Sequence, residues 1–431
     1  MDFRDAPEEA AFREEVKAFL AAEFKGSDGG LEASGPNAER AKEEVSRGGV
    51  DRFGAYKGWM QKLAAKAWTA PAWPKEYGGA GMTVMQQFVF NEEMAKARAP
   101  RPGGIGIAFG GPTIIAYGTD EQKREHLPGI LSGDAVWCQG FSEPGSGSDL
   151  ASLQTRAEKD GDDYVINGQK IWTSGAQFAQ RMILLARTDP NAPKHKGISY
   201  FLLDMKSPGV SVRPLVNMAN LPGFSEVFFD NVRVPAKDLL GEENRGWYIA
   251  TTTLDIERSS IGTSIAQQQS VDDLIRFAKE MGNGKGENGN GRAKSVRAEL
   301  ADRCIEAETA RLLSYRVITL QNRGMVPNHE SSAVKLYAAE LSQRVAETGI
   351  RITGLYGQLD RGPSEEKDSA SNRWALNRGR FMRSYLQTLS ATRSARRGSS
   401  TAMFVRSAVS LKRNKCPPWR KVRAPPMNRL P

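Results

Sequence analysis

The sequence is poor in cysteine and histidine. Its 431 residues include three of each, and the cysteines are scattered with no CxxC pair. A disulfide framework needs paired cysteines, and a zinc site needs closely spaced Cys and His ligands, so we expect neither. We expect Cys138 to be a packed apolar residue rather than a nucleophile. We expect all three histidines to be exposed and without a catalytic role: His126, His195 and His329.

Long apolar runs are also lacking. No stretch approaches the roughly 20 apolar residues that a membrane-spanning helix needs. The first 20 residues are acidic and have helical apolar spacing, whereas a secretory signal has a basic start and an apolar middle. We therefore expect no membrane span, no secretory signal and a cytoplasmic location.

Positive charge is in excess, but it is confined to one end of the chain. The sequence has 60 Lys and Arg against 50 Asp and Glu, a net charge of +10. Residues 393–431 hold eleven of the basic residues and no acidic one, which leaves 49 basic and 50 acidic side chains in residues 1–392. A nucleic-acid-binding surface is normally built into the fold. We expect no nucleic-acid partner, and binding of the tail to nucleic acid or an anionic membrane is a minor alternative.

The apolar patterning changes twice along the chain. Helical spacing gives way to short alternating segments typical of strands, and long helical patterns then return. Helices segregated from an antiparallel sheet indicate an α+β protein, and the lack of βαβ repeats argues against a Rossmann fold. We predict an N-terminal all-α domain (1–133), a middle antiparallel β-barrel domain (134–240), a C-terminal helical bundle (241–392) and a basic, disordered tail (393–431).

Three local signals refine this division. The apolar residues Phe12, Val16, Phe19 and Leu20 share one face of an amphipathic helix. Thr119 can cap the start of another helix. The Asn167-Gly168 step, within the alternating segment 163–172, predicts a hairpin turn.

The segment 137–150, WCQGFSEPGSGSDL, has the features of a ligand-binding loop. Its small residues allow backbone amides to approach a ligand, and Ser142, Ser146 and Ser148 offer hydroxyl groups. The Trp-Thr-Ser sequence at 172–174 adds an indole beside further hydroxyl groups. Such a pair suits a flat heterocycle, which needs one aromatic face and a few hydrogen-bond donors.

Five motifs in order along the chain resemble the acyl-CoA dehydrogenase family. They are PAWPKEYGGAG (71–81), YGTDEQKREHLPGILSG (117–133), FSEPGSGSD (141–149), INGQKIWTSGA (166–176) and EVFFDNVRVP (226–235). The resemblance covers residues 1–392 and implies helical, β-barrel and helical domains. It also implies FAD as the cofactor, an acyl-CoA substrate, an electron-transfer flavoprotein as acceptor, and a homodimer or homotetramer.

The resemblance also assigns site residues. Glu257, in the segment LDIER, matches the base that takes the α-proton in isovaleryl-CoA and long-chain dehydrogenases, while a hydride leaves Cβ for flavin N5. Trp172 matches the indole that stacks on the flavin, and Thr173 the hydroxyl near N5. The full set implied for FAD is Gln139, Phe141, Ser142, Ser148, Trp172 and Thr173. The set implied for the substrate is Ser148, Asp255 and Arg258.

The chain departs from the family pattern at two places. The glycine-rich segment GNGKGENGNGR, which includes residues 282–291, replaces a step that carries an FAD-binding arginine in the family. After Thr392 the family continues with a Gly-Gly-Thr-Ser turn at FAD and a final helix, whereas this tail is rich in Arg, Ser, Ala and Pro. Such composition is typical of an out-of-frame translation of a GC-rich gene, and we interpret the tail as the result of a frameshift near codon 392.

Two alternatives to dehydrogenation follow. The same flavin scaffold could serve an oxidase or a monooxygenase, against which Glu257 argues. The altered tail also leaves open a catalytically impaired family member that acts as a binding or assembly protein.

Overall fold

A computed structural model gives the structure of the protein and describes residues 5–24, 50–219, 222–258, 262–280, 291–325, 327–359 and 381–388. The tail 393–431 and most of the glycine-rich segment lie outside these residues. The disorder expected of the tail therefore stays a prediction.

The N-terminal part is helical. Val16 and Leu20 of the first helix are buried, and Phe19 packs against Trp59 and Trp68 of the following segment. The predicted amphipathic helix is thus confirmed. The helices are α1 (Pro7–Glu23), α2 (Val50–Ala65), α3 (Val84–Lys96), α4 (Gly111–Tyr117) and α5 (Asp120–Ser132), with a π-helical turn (Gly106–Gly110) directly before α4.

The start of α5 joins the helical part to the β domain. The Thr119 hydroxyl accepts a hydrogen bond from the Gln122 amide N–H, and the Gln122 side chain accepts one from the Thr119 amide N–H. This reciprocal cap satisfies backbone donors that a helix start leaves free. Gln122 Nε2 also donates to the carbonyls of Lys237 and Leu239 at 2.7 and 2.9 Å. The predicted cap at Thr119 is confirmed, and it doubles as a contact between domains.

The middle part is one seven-stranded sheet that forms a half-barrel. Its strands are β1 (Trp137–Gly140), β2 (Arg156–Asp160), β3 (Asp163–Ser174), β4 (Arg181–Arg187), β5 (Ile198–Asp204), β6 (Val210–Leu215) and β7 (Phe224–Pro235). The order is β1-β4-β2-β3-β7-β6, and β5 pairs with β4. Most pairs are antiparallel as predicted, but β4 runs parallel to β1 and, at one position, to β2. The parallel β1–β4 pair is possible because the β2–β3 hairpin lies between these strands in the chain, and β3 alone connects β2 to β4.

The predicted hairpin turn at Asn167-Gly168 is wrong. The turn of the hairpin lies at residues 161–162, and Asn167 pairs with Arg156 inside one continuous strand, β3. Gly168 instead sits at a register shift, where an added Cβ would lie 2.7 Å from Thr155 Cα. The glycine is needed there for the close approach of Thr155, the residue before β2, rather than for a turn.

The C-terminal part is again helical, with α6 (Gly246–Arg258), α7 (Gly262–Glu280), α8 (Gly291–Asn322) and α9 (Asn328–Thr353), and residues 381–388 are helical too. Leu274, Leu341 and Phe381 lie in the core of this bundle. The predicted α+β class, with helical, β and helical parts, is confirmed. None of the helices in the described ranges is long and apolar enough to span a bilayer.

Candidate functional site

One side of the candidate site is the end of β1. Phe141 is buried and packs edge-on against Tyr200, with 5.9 Å between ring centroids. Ser142 follows and is partly exposed, and its carbonyl accepts a hydrogen bond from the Ile171 amide at 2.9 Å. Gln139 lies in β1, two residues before Phe141 and opposite Ile183 of β4. The hydrogen bond from Ile171 brings the two predicted flavin-binding segments together.

The other side is the irregular end of β3. The register with β7 is lost between Lys170 and Thr173, and Trp172 has φ +62°. A positive φ is strained for a residue with a side chain. The irregularity turns the indole of Trp172 outward, where it is 60% exposed and lies perpendicular to the Phe224 ring, with 5.9 Å between ring centroids.

Thr173, next to the exposed indole, is fully buried, and its hydroxyl has no hydrogen-bond partner among the described residues. A buried polar group without a partner is unfavourable by about 1 to 3 kcal/mol. An exposed indole beside an unsatisfied buried hydroxyl suits a flat ring with polar edges. The residues present therefore fit the isoalloxazine ring of FAD.

A buried ion pair lies beneath these two segments. Lys170 is fully buried, and its ammonium donates to Glu143 Oε1 at 2.7 Å and to the Phe141 carbonyl at 3.1 Å. Glu143 also accepts the amide N–H groups of Gln154 and Thr155 at 2.6 and 2.9 Å. Burial lowers the pKa of Lys170 to about 8, against the attraction of Glu143. Burial alone would raise the pKa of Glu143, but the charge of Lys170 and these hydrogen bonds outweigh it and lower it.

Ser148 lies on the turn that follows the Phe141-Ser142 segment. It is exposed, between Gly147 and Asp149. Asp149 is held by Lys194 at 2.7 Å and by the Ser152 hydroxyl, and the hydrogen bond from Lys194 lowers the pKa of Asp149. Ser148 is therefore on an anchored turn that an extended ligand can reach.

The predicted base and substrate-binding residues lie at the end of α6. Helix α6 begins at Gly246, which passes so close to β5 that a Cβ would lie 2.4 Å from the Ser199 carbonyl carbon. Thr253 of α6 forms a hydrogen bond with Thr113 of α4 at 2.8 Å. Glu257 is one turn further along the helix. The side chains of residues 254–258 lie outside the described part of the structure, so the roles of Asp255, Glu257 and Arg258 stay predictions.

The remaining candidates are structural. Cys138 is fully buried, as predicted, and burial raises the pKa of its thiol to about 12, so it is a poor nucleophile. His195 and His329 are exposed as predicted. The prediction that His126 is exposed is wrong: it is buried edge-on against Trp137, which lies on the β-domain side of α5.

His126, Glu125 and Asp238 form the one cluster among the described side chains with the spacing of metal ligands. Arg181 and Lys237 already lie 3.5 and 3.4 Å from the Glu125 carboxylate. The protein's own cations therefore neutralise the exposed member of the cluster.

Sequence reasoning did not identify Glu143 and Lys170. The available signal was one acidic and one basic residue within two motifs already expected to meet. Neither strand alternation nor the motifs state that both charges are buried.

Comparisons with known proteins agree with this architecture. Three family models match the chain. The model of the acyl-CoA dehydrogenase N-terminal domain matches residues 6–134, the model of the middle domain matches residues 138–232, and the model of the C-terminal domain matches residues 244–388. The acyl-CoA dehydrogenase IpdE1 of Mycobacterium tuberculosis is 35% identical over 352 residues, which cover 80% of this chain and 86% of that protein. The mitochondrial isovaleryl-CoA dehydrogenase of Oryza sativa is 31% identical over 68% of this chain and 72% of that protein.

Two solved structures show the same fold along nearly the whole chain. The Tcur3481-Tcur3483 steroid ACAD is 31% identical with a TM-score of 0.75, and covers 96% of this chain and 100% of its own. The ChsE4-ChsE5 complex from Mycobacterium tuberculosis is also 31% identical, with a TM-score of 0.74 and coverages of 97% and 100%. The chain therefore belongs to the acyl-CoA dehydrogenase family of FAD-dependent oxidoreductases.

Proposed function

We propose that this chain dehydrogenates an acyl-CoA thioester between Cα and Cβ, with Glu257 as the base. The observation that carries the proposal is the convergence of Phe141 and Ser142 with the exposed indole of Trp172 and the unpartnered hydroxyl of Thr173. Family membership supports acyl-CoA dehydrogenation in general, and the proposal adds the roles of individual residues.

Six residues would hold FAD: Gln139, Phe141, Ser142, Ser148, Trp172 and Thr173. The indole of Trp172 offers an aromatic face, and the Thr173 hydroxyl offers a hydrogen bond from within the protein. FAD held there would supply the hydride acceptor for the substrate Cβ.

The α-proton of the thioester needs a base, and the proposal gives this role to the carboxylate of Glu257. With the α-proton on Glu257 and the hydride lost from Cβ, the product would be the 2-enoyl-CoA. Ser148, Asp255 and Arg258 would bind the acyl-CoA. The turn 143–149, anchored through Glu143 and Asp149, supports the placement of Ser148 where an extended ligand can reach it.

We further propose a bulky, steroid-bearing acyl group as the substrate class. The support is the likeness to the structure titled a steroid ACAD, which extends over nearly the whole of both chains. A branched short-chain acyl group, suggested by the isovaleryl-CoA dehydrogenase relative, is the second candidate.

An electron-transfer flavoprotein is the proposed acceptor, and a homodimer or homotetramer the proposed assembly. Exposed apolar side chains on the C-terminal helices, Ile305 and Leu312 of α8 among them, support an assembly through that part. The cytoplasmic location expected from the sequence stays a prediction.

The test is anaerobic reduction of the purified protein. Its visible spectrum is recorded with FAD, and a panel that contains a steroid side-chain acyl-CoA and isovaleryl-CoA is then added. We expect a flavin spectrum that the steroid substrate bleaches. Glu257→Gln should keep the bound flavin and slow bleaching by about 10²- to 10⁴-fold, as expected for loss of a general base. Glu347→Gln, at an exposed position of α9, is the control and should bleach like the wild type.

Three results would contradict the proposal. If the flavin of Glu257→Gln bleached at the wild-type rate, another residue would be the base. Rapid reoxidation of the reduced flavin by oxygen would favour an oxidase or monooxygenase. A protein that stays colourless after FAD is supplied would favour a binding or assembly role.

A further inference from the structure

The two flavin-facing segments are not neighbours in the sheet. Among the described strands, β1 pairs with β4, whereas β3 pairs with β2 and β7. The ladder therefore does not set the distance from Phe141 and Ser142 to Trp172 and Thr173. Within the described ranges, the backbone hydrogen bond that links them directly runs from the Ile171 amide to the Ser142 carbonyl.

The ladder also fails at the point where it is most needed. Register with β7 is lost between Lys170 and Thr173, the stretch that contains Ile171 and the strained Trp172. A strand segment without ladder hydrogen bonds bends easily. Something outside the ladder has to hold the Trp172 backbone in its positive-φ conformation.

Lys170 lies at the start of this stretch and reaches across to the segment that follows β1. Its ammonium bonds both the Phe141 carbonyl and Glu143 Oε1, and Glu143 in turn accepts two backbone amides of residues 154–155, which precede β2. Neither charged group is orphaned, as an ion pair so deeply buried requires. Three separate chain segments thus meet at one pair of side chains.

Burial of both charges carries a large desolvation penalty. An apolar side chain of similar size in place of a buried ion pair is often neutral or stabilising. Stability alone therefore does not account for the pair. A directional, fully satisfied network does fix the relative positions of the segments that it bonds.

We propose that Glu143 and Lys170 are positioning residues that fix the spacing between the Phe141-Ser142 segment and the Trp172-Thr173 segment, and with it the geometry of the flavin-facing surface. The proposal rests on the proposed function for its consequence, the binding of flavin. The link that the ion pair makes between the two segments, called the tether below, does not depend on a bound cofactor. Neither residue is proposed to contact the substrate or the cofactor.

The test compares Lys170→Met, Glu143→Gln and the double variant with the wild type. Each single variant leaves one buried group without its partner and should lower the thermal midpoint. The double variant removes both charges and should recover most of that midpoint. Amide hydrogen exchange at Ile171 in the cofactor-free protein should nevertheless stay faster than in the wild type by about ten-fold, since local opening becomes easier.

FAD affinity and the flavin spectrum should change in the double variant as well. The double variant should bind FAD about ten-fold more weakly, because the surface is no longer pre-organised, and the visible spectrum of its bound flavin should be shifted. The control is Arg13→Met with Glu93→Gln, which removes a largely buried ion pair between α1 and α3. It should alter the thermal midpoint but neither the Ile171 exchange nor the flavin spectrum.

A double variant with wild-type exchange at Ile171 and a wild-type flavin spectrum would overturn the proposal and leave the pair a stabilising role only. If the double variant does not fold, Glu143→Gln is judged by the same readouts. Exchange is measured without FAD, so a wild type that binds no FAD would refute the proposed function, and the tether would still be decided by exchange.

Discussion

Replacement of Thr173 by valine should have opposite effects on the protein with and without FAD. The Thr173 hydroxyl is fully buried and has no partner among the described residues, whereas the methyl group of valine needs none. Removal of an unsatisfied buried hydroxyl should raise the free energy of unfolding of the cofactor-free protein by about 1 kcal/mol, the lower end of the penalty for such a group. Loss of the hydrogen bond that the hydroxyl offers to flavin should weaken FAD binding by about 1 kcal/mol, or about five-fold.

The assay is urea unfolding of the cofactor-free protein together with fluorescence titration of FAD. Thr348→Val is the matched control, because Thr348 is equally buried but its hydroxyl donates to Glu299 at 2.7 Å. That variant should lose about 1 to 3 kcal/mol of stability and bind FAD normally. If Thr173→Val destabilises the cofactor-free protein as Thr348→Val does, the hydroxyl already has a partner and the assignment of this site to flavin loses its main support.

Three further predictions concern other parts of the molecule. Burial lowers the pKa of His126 from 6.5 to about 4; the unfolded chain therefore binds more protons between these values, and the free energy of unfolding should fall as pH drops from 6.5 to 4. Urea unfolding at pH 7 and 4.5 should show a smaller fall for His126→Phe than for the wild type or the exposed-site control His329→Phe. Gly246→Ala should displace α6 from β5, since the new Cβ would meet backbone, and lower kcat and the thermal midpoint together. The control Gly58→Ala, within α2, has free space; it should leave kcat close to wild type and should not lower the midpoint, because alanine favours the helix over glycine. Alkylation of the native protein followed by peptide mass spectrometry should leave Cys138 unmodified, because its thiol is buried and its pKa is about 12; modification at the rate of the exposed Cys304 would contradict this.

The altered tail makes the cofactor experiments informative in a second way. In the family resemblance, a turn after Thr392 touches FAD, and this chain has a different sequence there. A wild type that binds FAD tightly would show that FAD binding by this chain does not require the Gly-Gly-Thr-Ser turn of the family. Resequencing codon 392 tests the frameshift interpretation directly, because an intact reading frame would refute it.

Several features of the fold could be predicted from the sequence because short-range rules determine them. The apolar spacing of Phe12, Val16 and Leu20 determines which face of α1 is buried, and the Thr119 cap depends on residues within one helical turn. The alternation of helical and strand patterns was likewise enough for the α+β class. The motifs around Phe141 and Trp172 identified two segments of the candidate site, although not how they are held together.

Tertiary structure decided the features that depend on residues far apart in the chain. Asn167-Gly168 has the residues of a turn, but pairing with β2 and contact with Thr155 make it part of a strand. His126 has a polar local context, yet packing of α5 against Trp137 buries it. The exposure of Trp172, the unsatisfied hydroxyl of Thr173 and the Glu143–Lys170 pair all arise where β1, β2 and β3 meet. Burial and pairing of this kind depend on which distant segments of the chain come into contact. Local sequence patterns do not specify those contacts.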